Sequence, residues 1–334
     1  MTKLSRGFLK IKSKSQNWQR DIFWNLGLNK PFYNNARGAR IIIYHGICLE
    51  DHTRFNNIFL KLSTFEAHLK FYKQHFNVVS LDDFYQRRFS NDRYNICITF
   101  DDGFANNYKY VLPLLEQYQL PATFFVTGIR EAGFDILWND FLGIVSKYGP
   151  EKLEYNNQQF RKNNWNKYVS ESTGITLQEI IRTGGFDAKV EMMERLGGTV
   201  NFRASKQEED YWLQMTESQI KQLSLSKYAT IGSHSHYHND LSRIPITDAR
   251  ADMVQSKKFL ENVIQKEVKA LAFPYGTYSR EVVSEAKKTG YTQLLAMDFF
   301  FPDDAVDTTM RERFTVNPFI SVNNQMYASI TGKY

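Results

Sequence analysis

Apolar residues along the chain fall in short β-branched or aromatic runs, separated by stretches where they recur at near-helical spacing. Arg40-Ile41-Ile42-Ile43-Tyr44 is the first such run and predicts a strand that stops at His45-Gly46. Ser63-Thr64-Phe65-Glu66 has the capping-box pattern, and Phe65, Leu69, Phe71 and Tyr72 continue it as a helix. Phe76–Ser80 reads as a second strand, with Ser80-Leu81-Asp82-Asp83 opening another helical turn. Ile96–Phe100 is a third. Tyr108, Val111, Leu112, Leu115 and Tyr118 then mark an amphipathic helix in which Pro113 predicts a kink. Pro121–Val126 is the fourth strand.

Strand alternating with helix predicts parallel strands joined by crossover helices, an α/β fold. The rhythm breaks from about 135 to 227, where the chain turns polar and Asn/Gln-rich. Helical stretches at Trp138–Lys147 and Leu177–Ile181, a further helix opened by Thr216-Glu217-Ser218-Gln219, and no clear strand predict a mainly helical insertion. A lid or subdomain beside a site and a surface decoration are equally compatible with it. Strands resume at Ala229–Gly232, Val268–Phe273 and Gln293–Met297, with helices over 247–264 and 279–288 between them. The expected organisation is a basic arm over 1–37 and an α/β barrel over 38–334, interrupted by the insertion. Seven strands are counted, and the unusual residues fall at strand C-terminal ends, where barrels place their chemistry.

Composition changes this picture little. Hydrophobic residues make up 42% and charged residues 23% of the 334, which suits a globular chain. No run of about 18 apolar residues predicts a spanning helix. Cys48 and Cys97 each follow an apolar run and read as buried free thiols in a reducing compartment. Charge is more informative. Residues 1–40 carry nine Lys or Arg against one acid, Asp21, a net of +8 in a chain of net charge +6, which leaves −2 for the remainder. A slightly acidic body without a binding motif speaks against nucleic acid. Lys10, Lys12 and Lys14 interrupt what would be the apolar core of an export signal, so a cytoplasmic location is expected. Phe8, Trp18, Phe23 and Trp24 among cations predict weak contact with the anionic inner face of a membrane, against the alternative of an arm packed on the domain.

Candidate chemistry sits at three strand ends. Ile96-Cys97-Ile98-Thr99-Phe100 delivers Asp101-Asp102-Gly103, and buried charge needs a partner. An Asp-Gly turn is the plainer explanation. Three histidines within five residues, His234, His236 and His238, follow a later strand, and zinc sites readily mix carboxylates with imidazoles. Residues i and i+4 share a face once the chain turns helical, so His234 and His238 can converge while His236 points away; pairing His234 with His236 would need an extended strand.

Thr99-Phe100-Asp101-Asp102-Gly103, His234-Ser235-x-x-His238 and Phe273-Pro274-Tyr275-Gly276, in this order, resemble the polysaccharide deacetylases of the NodB-homology class, carbohydrate esterase family 4. The resemblance covers roughly 38–130 and 228–300. It implies a distorted (β/α)7 barrel that removes acetyl groups from N-acetylated sugars with zinc or another divalent transition metal. Residue by residue, it implies Asp102, His234 and His238 as metal ligands, Asp101 as general base acting on a metal-bound water, and the Tyr275 N–H as oxyanion donor after Pro274. The late Leu-x-His motif that usually supplies the general acid is absent, as is the Asp-x-x-Asp-Trp motif. Tyr44-His45-Gly46-Ile47 instead resembles the Tyr-His version of a branch that includes poly-N-acetylglucosamine deacetylases, which implies His45 as the acid. Ala272 stands where the family's base-orienting arginine would be, and Arg313 is the candidate replacement. A carbohydrate substrate needs aromatic platforms, for which Trp138, Tyr237, Tyr275 and Tyr278 are available. Competing readings are an amidase acting on a small cyclic amide and an inactive carbohydrate-binding relative.

Overall fold

The computed structural model describes residues 15–55 and 57–334. Its centre is a nine-stranded sheet in which every ladder is parallel. The strands are β1 (Ala39–Tyr44), β2 (Phe76–Val78), β3 (Tyr94–Phe100), β4 (Ala122–Val126), β5 (Ala229–Ser233), β6 (Ala270–Ala272), β7 (Gln293–Leu295), β8 (Met310–Arg311) and β9 (Arg313–Thr315). Their spatial order is β8-β7-β6-β5-β4-β3-β1-β9, with β2 paired to the first half of β3. All seven residues of β3 are buried, as expected of a parallel strand covered on both faces.

The sheet curls because one stretch of chain joins its two edges. Met310–Arg311 pairs with β7, and Arg313–Thr315, one residue further on, pairs with β1. This is the distorted, nearly closed (β/α) barrel expected. Its closing strand was not among the seven counted from the sequence, and β2 is a side strand rather than a full stave. Ile42, Ile98, Phe100, Phe124 and Leu271 belong to the largest apolar cluster, together with the helices Leu62–His75 and Ile246–Ile264.

Local details depart from expectation in instructive ways. The helix over Leu62–His75 starts one residue before Ser63, so the capping box there does not form, whereas Thr216 and Gln219 form theirs. The kink foreseen at Pro113 is a π-helical turn, Asn107–Val111, running into the helix Leu112–Tyr118.

The interrupting segment is mainly helical, but it is not strandless. Between the helices Trp138–Tyr148 and Leu177–Thr183 lies a three-stranded antiparallel sheet, Lys152–Tyr155, Gln158–Lys162 and Tyr168–Ser170. Asn156 and Asn157 join the first two strands with both φ angles positive, the geometry a two-residue hairpin needs. The same Asn/Gln richness that reads as irregular chain is, at this point, hairpin chemistry. The segment has its own apolar cluster around Phe141, Phe160, Tyr168, Met192 and Trp212.

Of the basic arm, Lys3, Arg6, Phe8, Lys10, Lys12 and Lys14 lie outside the described residues. Residues 15–25 form a helix, followed by the helix Lys30–Asn35. Trp24 packs on Tyr33 and Phe71, and Asp21 accepts from Ser321 and Asn324 beside the last helix, Val322–Thr331. Both cysteines are buried and free.

Candidate active site

The site forms where three barrel strands end and the backbone leaves its extended course. Among the described residues ten non-glycine positions have positive φ, and four of them are here: Asp102 (74°), Ser235 (64°), His238 (52°) and Tyr275 (61°). Such backbone costs free energy, and it clusters where side chains must be aimed. After β3, Asp101 N–H still donates to Tyr44 O at 3.0 Å, in register with β1. Asp102 then turns left-handed, and Gly103 follows at φ +78° against Val126. The loss of pleat puts both carboxylates in one region, and the turn begins at Asp102 itself.

The two histidines converge by a different route from the one expected. Residues 234–240 are not helical. The left-handed residues Ser235 and His238 fold the chain back so that His234 and His238 approach, their ring centroids 5.2 Å apart. Their Nε2 atoms lie 3.4 and 3.3 Å from the same oxygen, Oδ1 of Asp102. His236 turns away, its ring packed on Gly128 and Phe259 and its backbone N–H donating to Asp252.

These three side chains suit a cation. His234 Nδ1–H donates to the Ala272 carbonyl at 2.8 Å, which leaves its Nε2 as a lone pair aimed at Asp102. His238 Nδ1 meets the Tyr275 hydroxyl at 3.2 Å. A carboxylate oxygen and imidazole lone pairs directed at one another repel unless positive charge stands between them. Two imidazole nitrogens with one carboxylate oxygen, all buried, form the mixed donor set that a zinc-type divalent ion takes, with coordination positions to spare. Burial would push the Asp102 carboxyl up, but positive charge where the two imidazoles face it, a proton or the cation that takes its place, holds it well below the usual carboxylate range.

Asp101 is gripped separately. Arg313 donates through Nη1 and Nη2 to its two carboxylate oxygens, at 2.7 and 2.8 Å, with both side chains almost fully buried. Burial alone would raise this carboxyl; Arg313 and His234 more than offset it, so it titrates below its ordinary value. The guanidinium missing at Ala272 is thus supplied by the barrel's closing strand. Tyr44 and Phe100 are register partners, so His45 and Asp101 emerge side by side, and the His45 imidazole lies near enough to help lower both Asp101 and Asp102. Asn107 Nδ2 fixes the His45 carbonyl at 2.9 Å, and Asn106 accepts from Ile47 N–H.

Pro274 is buried and opens the short turn Pro274–Gly276, whose middle residue is Tyr275. The Tyr275 ring lies against His238 at 4.9 Å, with the Arg182 guanidinium 4.4 Å over its centroid. The remaining aromatic candidates are not free platforms. Trp138 is 2% exposed inside the insertion's core; Tyr278 is 3% exposed, stacked on Phe300 and Phe273. Tyr237 stacks on Phe186 at 4.1 Å and hydrogen-bonds Gln255. In each case an aromatic near a motif is claimed by a tertiary partner.

A supporting layer escaped the sequence reading. Asp240, fully buried, accepts from Arg182, Ser242 and Thr277, tying the histidine loop to the Tyr275 turn and to the insertion. Lys189, also from the insertion, donates to Asn239, which donates to buried Asp252. The signal was Asn239-Asp240 directly behind His238, two polar residues in a stretch with no solvent to face.

A family model for polysaccharide deacetylase matches residues 90–141 and 200–294, and the unmatched 142–199 lie within the interrupting segment. YxkH of Bacillus subtilis (strain 168), which carries the name of a polysaccharide deacetylase, is 30% identical over 77 residues. The match covers 23% of this chain and about a quarter (27%) of that relative's length. Among solved structures, the Streptococcus pyogenes deacetylase PplD in complex with acetate superposes with a TM-score of 0.53 at 16% identity, covering 88% of this chain and 99% of the other. A Bacillus cereus polysaccharide deacetylase gives 0.54 at 18% identity, covering 89% and 70%. IcaB from Ammonifex degensii gives 0.52 at 14% identity, covering 89% and 98%. The structural likenesses establish a common barrel, and the family model resembles this chain over the stretches that carry the three motifs at its strand ends.

Proposed function

We propose that this protein is a metal-dependent hydrolase that removes N-acetyl groups from an N-acetylated sugar or polysaccharide precursor. The observation that supports it most is the meeting of Asp102, His234 and His238 from separate strand ends, beside an Asp101 held ionised by Arg313. A divalent ion bound by the three ligands would supply Lewis acidity and bring the pKa of water down toward ~7. The chain's own groups do the rest. Asp101, its oxygens oriented by Arg313, takes a proton from the attacking water. The Tyr275 N–H, in its left-handed turn, donates to the oxygen that becomes negative as the acetamide carbon turns tetrahedral; one such donor is worth ~3 kcal/mol. His45, emerging beside Asp101, delivers a proton to the departing sugar amine, a task suited to an imidazole near neutral pH.

The test is acetate release from N-acetylglucosamine oligomers with and without chelator, with cyclic imide hydrolysis measured in parallel. Asp101→Asn should retain metal and lose turnover, whereas His234→Ala should lose the metal itself. Full turnover by Asp101→Asn, or hydrolysis of the imide alone, would overturn the reading.

A further inference from the structure

We propose that Arg182, carried by the insertion, is a positioning residue of the hydrolytic centre: it holds the Tyr275 turn in shape and, through the Tyr275 ring, sets the direction of His238. The proposal rests on the deacetylase reading and makes the insertion part of that site's scaffold. Arg182 sits in the last turn of the helix Leu177–Thr183, in the stretch 142–199 that the family model leaves unmatched.

The turn needs holding. Tyr275 (φ 61°) and Gly276 (φ 68°) are consecutive left-handed residues. Glycine takes that shape freely; tyrosine does not, and a non-glycine residue keeps it only where its surroundings fix it. The backbone of the turn offers little by itself. Gly276 N–H donates to the Phe273 carbonyl at 2.9 Å, and Thr277 N–H reaches the Pro274 carbonyl only at 3.4 Å. The rest of the hold comes from side chains outside it.

Arg182 supplies that hold from two directions. Its guanidinium carbon stands 4.4 Å over the centroid of the Tyr275 ring, a cation–π contact, and the ring also packs on the insertion's own apolar cluster. The same guanidinium donates through Nε and Nη2 to one oxygen of Asp240, Oδ2, at 2.8 and 2.7 Å. The other oxygen, Oδ1, accepts from the Thr277 hydroxyl at 2.8 Å, two residues beyond Tyr275. One fully buried carboxylate thus couples the insertion to the exit of the turn. From the ring the coupling reaches the ligands. His238 turns Nε2 toward Asp102, so Nδ1 carries its hydrogen and donates to the Tyr275 hydroxyl at 3.2 Å. A ring free to tilt would release that imidazole and carry the Tyr275 N–H off its aim. Asp240 is not stranded without Arg182, since it keeps the Ser242 and Thr277 hydroxyls and has Arg243 Nε at 3.6 Å, so variants at 182 are expected to fold.

The experiment measures three things in the parent, Arg182→Met, Arg182→Lys, Tyr275→Phe and the double variant of Arg182→Met with Tyr275→Phe. These are kcat and KM for acetate release from N-acetylglucosamine oligomers, affinity for cobalt(II), and amide hydrogen exchange over 273–277. Arg182→Met should lower kcat by roughly 10–100-fold with KM unchanged, and weaken cobalt(II) binding roughly tenfold. Exchange over 273–277 should quicken while the helix Ile246–Ile264 stays protected. Arg182→Lys can still pair with Asp240 but has no planar fork to lay on the ring, so it should melt like the parent and keep most of the kcat loss. Full kcat in Arg182→Lys would reduce Arg182 to a structural ion pair and overturn the proposal. In the double variant the cobalt(II) losses should not add, because both changes act through one hydroxyl; additive losses would refute the route through Tyr275. If the parent releases acetate from no N-acetylated sugar, the deacetylase reading fails by itself. Cobalt(II) affinity and exchange then decide the clamp, which stands if both respond to Arg182→Met and falls if either does not.

Discussion

Asp101 and Arg313 form a buried pair in which geometry matters as much as charge. A guanidinium fork grips both carboxylate oxygens and fixes their direction, while an ammonium would supply a single point of charge. Arg313→Lys is therefore expected to keep the metal and lower turnover by on the order of 10–100-fold, the usual range for residues one step behind a metal site. Metal analysis alongside kcat checks this, and parent-like turnover would contradict it. Arg313→Ala should in addition destabilise the fold by about 3–5 kcal/mol, because a carboxylate is left buried alone. The residues of this centre were legible to different depths. Asp101, Asp102, His234 and His238 stand out because charge and imidazole directly after apolar runs demand an explanation. The means of their convergence did not stand out, since left-handed φ at Asp102, Ser235 and His238 leaves no mark on hydrophobic periodicity. Trp138 and Tyr278 could be found as aromatics, but whether a ring is a platform or core depends on partners that sequence spacing does not reveal.

At the scale of elements, the insertion is fastened to the histidine loop through charges with no water around them. Burial raises the Asp252 carboxyl from 3.8 to about 6 and lowers the Lys189 ammonium from 10.5 to about 8. The signs follow from linkage. Between about pH 4 and 6 the folded state holds the Asp252 proton more tightly than the unfolded chain, so this group's contribution to stability falls as pH rises through that window. Between about pH 8 and 10.5 the unfolded chain holds the Lys189 proton more tightly, so stability rises with pH there. Near neutrality both are charged and each depends on the other. Lys189→Met should thus lower the melting temperature increasingly as pH climbs from 4 to 7, and adding Asp252→Asn should flatten the profile and recover much of the loss. Melting curves at several pH values would show it; a single variant with a flat profile would count against the linkage. The sheet inside the insertion was missed for a related reason: Asn156 and Asn157 are hairpin residues only when Leu153, Tyr155 and Phe160 are seen alternating on either side.

At the scale of the whole molecule, the basic N-terminal residues adjoin a run of exposed apolar side chains. Within the helix over 15–25 and the turn after it, Trp18, Phe23, Leu26 and Leu28 are 49–67% exposed, while Arg20 and Asp21 turn inward to Asn324. The fourteen residues ahead of that helix carry five Lys or Arg and no acid. This end is expected to sediment with vesicles containing anionic lipid at low salt and to release as salt rises. Trp18→Ser with Leu26→Ser should weaken the association, and failure of the parent protein to bind would dismiss it. The barrel itself was readable from strand–helix alternation, except at its seam, because Met310–Thr315 is short and polar enough to pass for loop. That seam carries a consequence for how the protein comes into being. Asp102, His234 and His238 all leave the ribosome before Arg313 does, so the three can meet on a nascent chain whose Asp101 still lacks its guanidinium. Under the proposed function, competence for hydrolysis would then arrive last, with the zipping of the final stave.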